Sequence, residues 1–182
     1  MRSTTLSKKV CLLGDFAVGK TSLVRRFVYD LFDDKYTSTI GVKVSRKTVT
    51  VPHDDDVVEL TVMLWDLAGS QEFDRVRASY LRGSAGAVLV CDLTRPETLD
   101  SLHRYVDELR AASPGAQMIL AANKRDLIEP FPAGGLPTLD PEEIEAEASS
   151  LDAPYYLTSA KTGGEVEDLF RHLGRLLVGK RL

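Results

Sequence analysis

The octapeptide Gly14-Asp15-Phe16-Ala17-Val18-Gly19-Lys20-Thr21 fits the phosphate-binding pattern G-x-x-x-x-G-K-[ST]. An apolar run at residues 10–13 predicts a buried strand before it, and residues 20 to about 29 have helical spacing after it. Glycines let successive N–H groups face one concavity, and the helix N-terminus adds positive potential there. Lys20 would supply a mobile charge for the outer phosphates, and the Thr21 hydroxyl would ligate Mg²⁺. The alternative is an ordinary glycine-containing turn between a strand and a helix.

Outward from this motif, strands and helices alternate along the chain. Apolar runs predict further strands at residues 42–51, 57–65, 87–91, 118–122 and 155–157. Helical patterns cover residues 96–110 and 166–178, and Asp140 followed by Pro141 predicts the start of another helix. The predicted connections are a hairpin at residues 52–56 and loops at 31–41, 66–82 (with a helical tail) and 130–137. This order predicts an α/β fold with a mostly parallel sheet, in a single domain over residues 1–182.

The composition is that of an ordinary globular protein. Of 182 residues, 43% are hydrophobic and 27% charged, which excludes disordered, coiled-coil and collagen-like classes. A net charge of −4 gives no overall basic field, so nucleic acid is not an expected partner. Cys11 and Cys91 lie in apolar runs and are predicted to be buried thiols. With no signal-peptide pattern and Leu182 in place of a terminal cysteine, we expect a cytoplasmic protein without a lipid anchor in this chain.

Two polar motifs directly follow predicted strands: Asn123-Lys124-Arg125-Asp126 and Thr158-Ser159-Ala160-Lys161. Residues at the carboxyl ends of parallel strands face the crevice where α/β sheets bind ligands. The Asp126 carboxylate can accept hydrogen bonds from the N1–H and the amino group of guanine, a donor pair that adenine lacks. The second motif can offer a backbone N–H to guanine O6. Taken alone, each motif also suits a simple turn after a strand.

With Trp65-Asp66-Leu67-Ala68-Gly69 between them, these motifs resemble those of the Ras-superfamily small GTPases. Two segments, Tyr36-Thr37-Ser38-Thr39-Ile40-Gly41 and Tyr80-Leu81-Arg82-Gly83, resemble the Rab-like branch, and the resemblance covers about residues 8–178. It implies the P-loop NTPase (small G-protein) fold, with a six-stranded, mostly parallel sheet, one antiparallel hairpin strand and helices on both faces. It also implies a protein that binds Mg²⁺ with GTP or GDP and hydrolyses GTP.

The resemblance assigns roles by motif position. It implies that Thr39 joins Thr21 on Mg²⁺ when a γ-phosphate is present, that Asp66 holds the metal through water, and that the Gly69 N–H contacts the γ-phosphate. Phe32 falls where the family places a ring against the guanine edge; the alternative is a loop anchor. The implied nucleotide-binding residues are Gly14, Asp15, Phe16, Ala17, Val18, Gly19, Lys20, Thr21, Ser22, Phe32, Thr39, Gly69, Asn123, Lys124, Asp126, Ser159, Ala160 and Lys161.

The same resemblance implies a molecular switch. Loss of the γ-phosphate would release Thr39 and Gly69, so that switch I (about residues 32–41) and switch II (about residues 66–82) relax together. Effector, exchange-factor and activating proteins are the implied partners through these loops. A prokaryotic origin, with roadblock-type partners, is a further expectation that rests on the resemblance alone.

Two departures from the family pattern bear on hydrolysis. Ser70 stands at the position of the catalytic Gln, because the spacing from Gly69 to Gly83 is that of Rab-like sequences. A serine hydroxyl is too short to orient the attacking water. We therefore expect the rate of hydrolysis to fall on the order of a hundredfold, unless Gln71 swings into the site. Phe16 replaces a small residue, and its ring either obstructs an arginine finger or only packs on a switch loop. We expect weak intrinsic hydrolysis, with the catalytic set Lys20, Gly69, Ser70 and Gln71.

A third departure concerns partners. Trp65 and Tyr80 match the hydrophobic triad of Rab-like proteins, whereas Val44 replaces its third aromatic, so we expect effectors unlike those of known Rab proteins. Two other functions stay open. One is a hydrolysis-deficient scaffold (a pseudo-GTPase) that holds GTP or GDP, and the other is an ATP-using P-loop enzyme in which Asp126 is idle.

Overall fold

Six strands form one sheet in the computed structural model, which describes residues 3–129 and 138–179. The strands are β1 (Ser3–Leu13), β2 (Val42–His53), β3 (Asp56–Leu67), β4 (Gly86–Asp92), β5 (Gln117–Asn123) and β6 (Tyr155–Leu157). Their order is β2-β3-β1-β4-β5-β6, and among them only the β2–β3 pair is antiparallel. The predicted six-stranded, mostly parallel sheet with one antiparallel hairpin is therefore confirmed.

Helices cover both faces of this sheet. They are α1 (Lys20–Tyr29), α2 (Asp74–Leu81), α3 (Glu97–Asp100), α4 (Leu102–Ala112), α5 (Pro141–Ser150) and α6 (Val166–Val178). Short 3-10 turns occupy Gln71–Phe73 and Arg125–Leu127. In the described part of the chain, no helix has the length and apolar character needed to cross a membrane.

The alternation of side chains along buried strands divides the core into two layers. In β1, Val10 and Leu12 face the layer covered by α1 and α6, whereas Cys11 and Leu13 face the layer that contains α3, α4 and α5. All four side chains are almost completely buried. Strands β4 and β5 alternate in the same way. Cys11 and Cys91 are buried free thiols, as predicted, and burial raises the pKa of Cys91 to about 12.

Strand β1 is longer than its apolar run predicted. The polar half, residues 3–9, continues the strand because its backbone pairs in parallel with β3, from Ser3 opposite Val57 to Lys9 opposite Met63. Backbone pairing of this kind satisfies N–H and C=O groups whatever the side chains are. The prediction was wrong here because it relied on hydrophobic pattern alone.

The hairpin turn is shorter than the predicted breaker. Pro52 and His53 still pair with β3, and only Asp54 and Asp55 form the turn, with Asp54 at φ 52°. Pro52 is tolerated because β2 is the outermost strand, where one side of the backbone has no ladder partner.

The helix predicted at residues 96–110 is divided at Ser101, between α3 and α4. The Glu97 carbonyl accepts both from the Ser101 N–H (3.1 Å) and from the Ser101 hydroxyl (3.0 Å), so the backbone bond across the division is kept. The predicted start of α5 is confirmed, since Asp140 accepts from the Glu142 N–H and the Glu143 carboxylate accepts from the Asp140 N–H. The predicted loop at residues 130–137 lies outside the described residues.

Candidate functional site

The carboxyl ends of β1, β5 and β6 border one cleft with a volume of about 530 Å³. The loop at residues 14–19 follows β1, while the two polar motifs follow β5 and β6. Predicted site residues that line the cleft are Phe16, Ala17, Gly19, Lys20, Thr21, Ser22, Phe32, Thr39, Gly69, Asn123, Lys124, Asp126, Ala160 and Lys161. Those that do not line it are Gly14, Asp15, Val18, Asp66, Ser70, Gln71 and Ser159. Lys20 and Asp126 therefore face the same cavity.

The loop at residues 14–19 wraps around the Lys20 side chain. The Lys20 ammonium donates to the carbonyls of Gly14 (2.7 Å) and Asp15 (2.9 Å) and is almost completely buried. Burial lowers the pKa of Lys20 to about 8, although the carboxylates of Asp66 and Asp15 oppose that shift. Gly19 has φ 105°, and a Cβ there would lie 2.3 Å from the Asn123 amide nitrogen, so this position requires glycine.

Three side-chain oxygens converge beside Lys20. The Thr21 hydroxyl lies 2.7 Å from the Thr39 hydroxyl and donates to Oδ2 of Asp66. Oδ1 of Asp66 is buried and accepts no hydrogen bond from the described residues. Burial raises the pKa of Asp66, whereas the Thr21 hydrogen bond and the Lys20 charge act to lower it. Hydroxyl and carboxylate oxygens with an unsatisfied buried lone pair are a ligand set that fits Mg²⁺.

Asn123 holds the loops around the cleft together. Its amide donates to the Val18 carbonyl (3.0 Å), and its oxygen accepts from the Thr158 hydroxyl (3.1 Å) and the Ala160 N–H (3.3 Å). Asn123 is buried, so these bonds are shielded from water. The side chain thus joins the β1 loop to the loop after β6.

Lys124 and Asp126 take different roles in the same turn. The Lys124 ammonium donates to the Ala17 carbonyl (2.8 Å) and lies 2.8 Å from Oδ2 of Asp92. Oδ1 of Asp126 accepts from the Ser159 hydroxyl (2.6 Å), and the Asp126 side chain lines the cleft. The hydrogen bond from Ser159 therefore fixes the position of the Asp126 carboxylate at the wall of the cleft.

Two residues that support the site were missed at the sequence level. Asp92 is buried at the end of β4, where it anchors Lys124. Arg26, in α1, donates from Nε to the Ala160 carbonyl (2.9 Å) and from Nη2 to the Lys161 carbonyl (2.5 Å). Asp92 could have been predicted from its position, because it is an acidic residue at the end of a strand. No sequence pattern predicts the contacts of Arg26, which depend on the fold.

Phe16 lies at the mouth of the cleft. Its ring is 48% exposed and meets the Tyr36 ring edge-on, with 5.4 Å between centroids. The Phe16 carbonyl accepts from Nη1 of Arg95 (2.8 Å). The Phe16 ring therefore contacts the loop predicted as switch I.

Gly69 packs tightly against the loop at residues 14–19. A Cβ at Gly69 would lie 2.7 Å from the backbone of Asp15 and Phe16, so only glycine permits this approach. Ser70 follows in an extended conformation (φ −80°, ψ 148°), and Gln71 is exposed at the start of the 3-10 turn. Neither Ser70 nor Gln71 lines the cleft.

The predicted triad lies between β2, β3 and α2. Val44 is 44% exposed, and the half-buried rings of Trp65 and Tyr80 are 6.3 Å apart. Tyr80 also stacks on Phe73 at 5.5 Å. The smaller Val44 therefore leaves an aliphatic surface next to two aromatic rings.

The chain is similar to known proteins over nearly its whole length. A family model described as Ras family matches residues 9–178. The Ras-related protein Rab-31 of Rattus norvegicus is 39% identical over 168 residues, which make up 92% of this chain and 81% of that protein. The Ras-related protein Rab-22A of Homo sapiens is 38% identical over 168 residues, with the same coverage of each chain. The chain therefore belongs to the Ras family, as a Rab-like small GTPase of the Ras superfamily.

Proposed function

We propose that this GTP-binding molecular switch holds Mg-GTP in the cleft described above and hydrolyses it slowly to GDP. The observation that carries the proposal is the shared cavity of Lys20 and Asp126. The backbone N–H groups of the loop at residues 14–19 and the Lys20 ammonium bind the phosphates at one end. At the other end, the Asp126 carboxylate accepts two hydrogen bonds from guanine. Phe32, which lines the cleft, packs against the base, and the loop of Ser159, Ala160 and Lys161 lies beside it.

Thr21, Thr39 and Asp66 would hold the magnesium ion. Their oxygens already converge, and the buried Oδ1 of Asp66 has no other partner among the described residues. When bound, Mg²⁺ neutralises charge on the phosphate oxygens. Thr21 orients Asp66 through its hydroxyl, and Thr39 brings switch I to the same place.

A Thr21→Ala variant is expected to need about tenfold more Mg²⁺ to retain bound nucleotide, because one ligand and the orientation of Asp66 are both lost. Release of a fluorescent GDP analogue, followed over a Mg²⁺ titration, measures the effect. Thr21→Ser keeps the hydroxyl and serves as the matched control. An unchanged Mg²⁺ dependence in Thr21→Ala would remove Thr21 from the metal site.

The switching mechanism rests on contacts of two loops with the phosphate end of the cleft. Thr39 and Gly69 both line it, and the Ala68 N–H donates to the Gly41 carbonyl (2.9 Å), which ties the two loops together. Loss of the γ-phosphate would remove the group that the Gly69 N–H contacts and on which binding of Thr39 to Mg²⁺ depends, so both loops would relax. Effector, exchange-factor and activating proteins would read that change.

Slow hydrolysis follows from Ser70 and Phe16. The hydroxyl of Ser70 does not reach the cleft, so it does not orient a water there. The Phe16 ring, half exposed and packed on Tyr36, would obstruct an arginine finger of an activating protein. Lys20 and Gly69 remain to stabilise charge on the γ-phosphate. Together these features favour a rate of GTP hydrolysis below that of family members with Gln at the position of Ser70.

The second candidate is a scaffold that holds nucleotide without turnover. Ser70 and Phe16 favour it, whereas the intact set of Lys20, Thr21 and Asp66 argues for a working site. Single-turnover hydrolysis of GTP separates the two. A scaffold would leave the bound GTP intact, while the proposed GTPase converts it slowly and completely to GDP.

The nucleotide specificity itself is tested on purified protein. Denaturation followed by chromatography should release GDP or GTP in near-stoichiometric amount. In competition, GTP should displace a bound fluorescent guanine nucleotide, whereas ATP at the same concentration should not. Equal competition by ATP would mean that Asp126 is idle and would replace the proposal with an ATP-using enzyme.

A further inference from the structure

One arginine outside the predicted site lies directly against the phosphate loop. Arg95 stands in the turn between β4 and α3, and its side chain is 35% exposed. Its Nη1 donates to the Phe16 carbonyl (2.8 Å), and its Nε lies 3.4 Å from Oε1 of Glu97. Its Nη2 donates no hydrogen bond to any residue that the structure describes. The guanidinium is therefore held on the loop at residues 14–19 by one nitrogen while another keeps its donors available.

The backbone of Arg95 is fixed by hydrogen bonds on both sides. Its N–H donates to the Asp92 carbonyl (2.9 Å), and its carbonyl accepts from the N–H (2.9 Å) and the hydroxyl (2.7 Å) of Thr98. The buried Asp92 carboxylate accepts from the N–H (2.9 Å) and the hydroxyl (2.7 Å) of Thr94, which closes the same turn. Only the side chain of Arg95 has to rotate for its free donors to change direction.

The charge of Arg95 acts on groups that line the phosphate end of the cleft. Burial lowers the pKa of Lys20 to about 8, and the positive charge of Arg95 acts in the same direction. Burial raises the pKa of Tyr36, whereas Arg95 acts to lower it. Phe16, Lys20 and Tyr36 all line the cleft. Because Coulomb interactions weaken with distance, the Arg95 guanidinium lies near the place where the outer phosphates would bind.

Neither acidic neighbour of Arg95 neutralises its charge effectively. Oδ2 of Asp92 lies 4.0 Å from Nη1 and is closer to the Lys124 ammonium, at 2.8 Å. Glu97 is exposed, so water and salt screen its attraction to Arg95. A phosphate oxygen in the cleft would be a stronger partner for the guanidinium than either carboxylate.

We infer that Arg95 is a catalytic residue of this chain, which donates from Nη2 to the γ-phosphate during hydrolysis while Nη1 stays on the Phe16 carbonyl. This role rests on the proposed GTPase function and adds a residue to it. Arg95 supplies from within the chain the positive charge that an activating protein otherwise provides with an arginine. An internal source suits this protein, because the half-exposed Phe16 ring would obstruct an arginine that comes from outside.

The chemical step takes no proton from Arg95. The oxygen of water forms a bond to the γ-phosphorus, the bond from that phosphorus to the oxygen shared with the β-phosphate breaks, and its electron pair stays on GDP. The protons of the water remain with inorganic phosphate and solvent. Negative charge grows on the shared oxygen and is spread over the γ-phosphate oxygens, where a guanidinium stabilises it. Arg95 does not orient the water, so the rate stays below that of family members with Gln at the position of Ser70.

Single-turnover hydrolysis by the full chain, loaded with Mg²⁺ and GTP, tests this role. Arg95→Ala is expected to lower the rate constant by about tenfold or more, because one source of positive charge in the transition state is lost. Its affinities for GDP and for a non-hydrolysable GTP analogue should stay within about threefold of those of the unsubstituted protein. A rate constant within about twofold of the unsubstituted value overturns the inference.

Arg104→Ala is the matched control. Arg104 is also an exposed arginine whose charge faces the phosphate loop, 3.8 Å from Asp15, but it carries no such role. Its removal should leave the rate constant unaltered.

Arg95→Gln separates the charge of Arg95 from its contact with Phe16. The glutamine amide can still donate to the Phe16 carbonyl, but it carries no charge. This variant should therefore lose as much of the rate as Arg95→Ala does. An Arg95→Gln variant as fast as the unsubstituted protein would show that the contact alone matters, and the inference would be wrong. The same conclusion would follow if GDP affinity fell in Arg95→Ala as much as the rate did, because the residue would then support the loop only.

The same measurements distinguish failure of this role from failure of the proposed function. If the unsubstituted chain binds GTP and leaves it intact, the proposed hydrolysis is wrong and the role of Arg95 falls with it. If the chain converts GTP to GDP and Arg95→Ala does so equally fast, only the role of Arg95 is wrong.

Discussion

An Asp126→Asn variant should lose about a thousandfold in affinity for GDP and gain affinity for xanthosine diphosphate. The carboxylate accepts two hydrogen bonds from the guanine N1–H and amino group, and an amide can accept only one of them. Xanthine carries a carbonyl in place of that amino group, so the asparagine N–H₂ finds an acceptor. Oδ1 of Asp126 accepts from Ser159, a bond that the amide oxygen of asparagine preserves. The substitution therefore changes recognition of the base without disturbing the loop.

Competition of GDP and xanthosine diphosphate against a fluorescent guanine nucleotide measures this change. Asp100→Asn, an equivalent substitution at an exposed position of α3, is the control and should leave both affinities unaltered. If Asp126→Asn bound GDP as tightly as the unsubstituted protein does, the carboxylate would not contact the base. The assignment of the guanine end of the cleft would then be wrong.

A Ser70→Gln variant should hydrolyse GTP about a hundredfold faster than the unsubstituted protein in a single turnover. The longer amide can reach toward the γ-phosphate from a position that directly follows Gly69, which lines the cleft. Ser70 has an ordinary extended backbone and is only half-buried, so a glutamine is accommodated there without strain. Because Lys20 and the metal ligands are unchanged in this variant, the gain in rate would measure the positioning of the attacking water.

Two further variants make that measurement specific. Glu72→Gln introduces the same amide two residues later, at an exposed position, and should leave the rate unaltered. Gln71→Ala tests whether the neighbouring glutamine supplies the residual activity; a large loss would assign the role to Gln71. The proposal of slow hydrolysis would be refuted if the unsubstituted protein hydrolysed GTP as fast as Gln-containing relatives and Ser70→Gln gave no gain.

Local sequence was enough to predict most of what lines the cleft. Gly19 and Lys20 belong to a continuous motif whose conformation depends on glycine, and Asn123 to Asp126 follow a strand whose five apolar residues leave little choice of structure. Because parallel strands end at one edge, three motifs far apart in sequence could be expected to meet. Thr21, Thr39 and Asp66, whose common role only the family resemblance implied, lie within hydrogen-bond distance of one another in the structure.

Other features could not be predicted because they depend on contacts between distant residues. The path from Asp15 through Tyr105 to Arg77 joins three elements, and no periodicity marks any of its members. An arginine in a polar segment is usually exposed, and Arg77 is buried only because Glu108 and Asp74 lie where its donors point.

Local sequence determined the phosphate loop, the core strands and the identity of the carboxylate expected to contact the base. Each of these depends on side chains that lie close together in the sequence. Assembly of the sheet and helices decided the pairing of the polar half of β1 and the attachment of α2 through Arg77. The physical reason is that backbone pairing and buried ion pairs gain their free energy from partners far away in the chain, which water replaces until the fold brings them together.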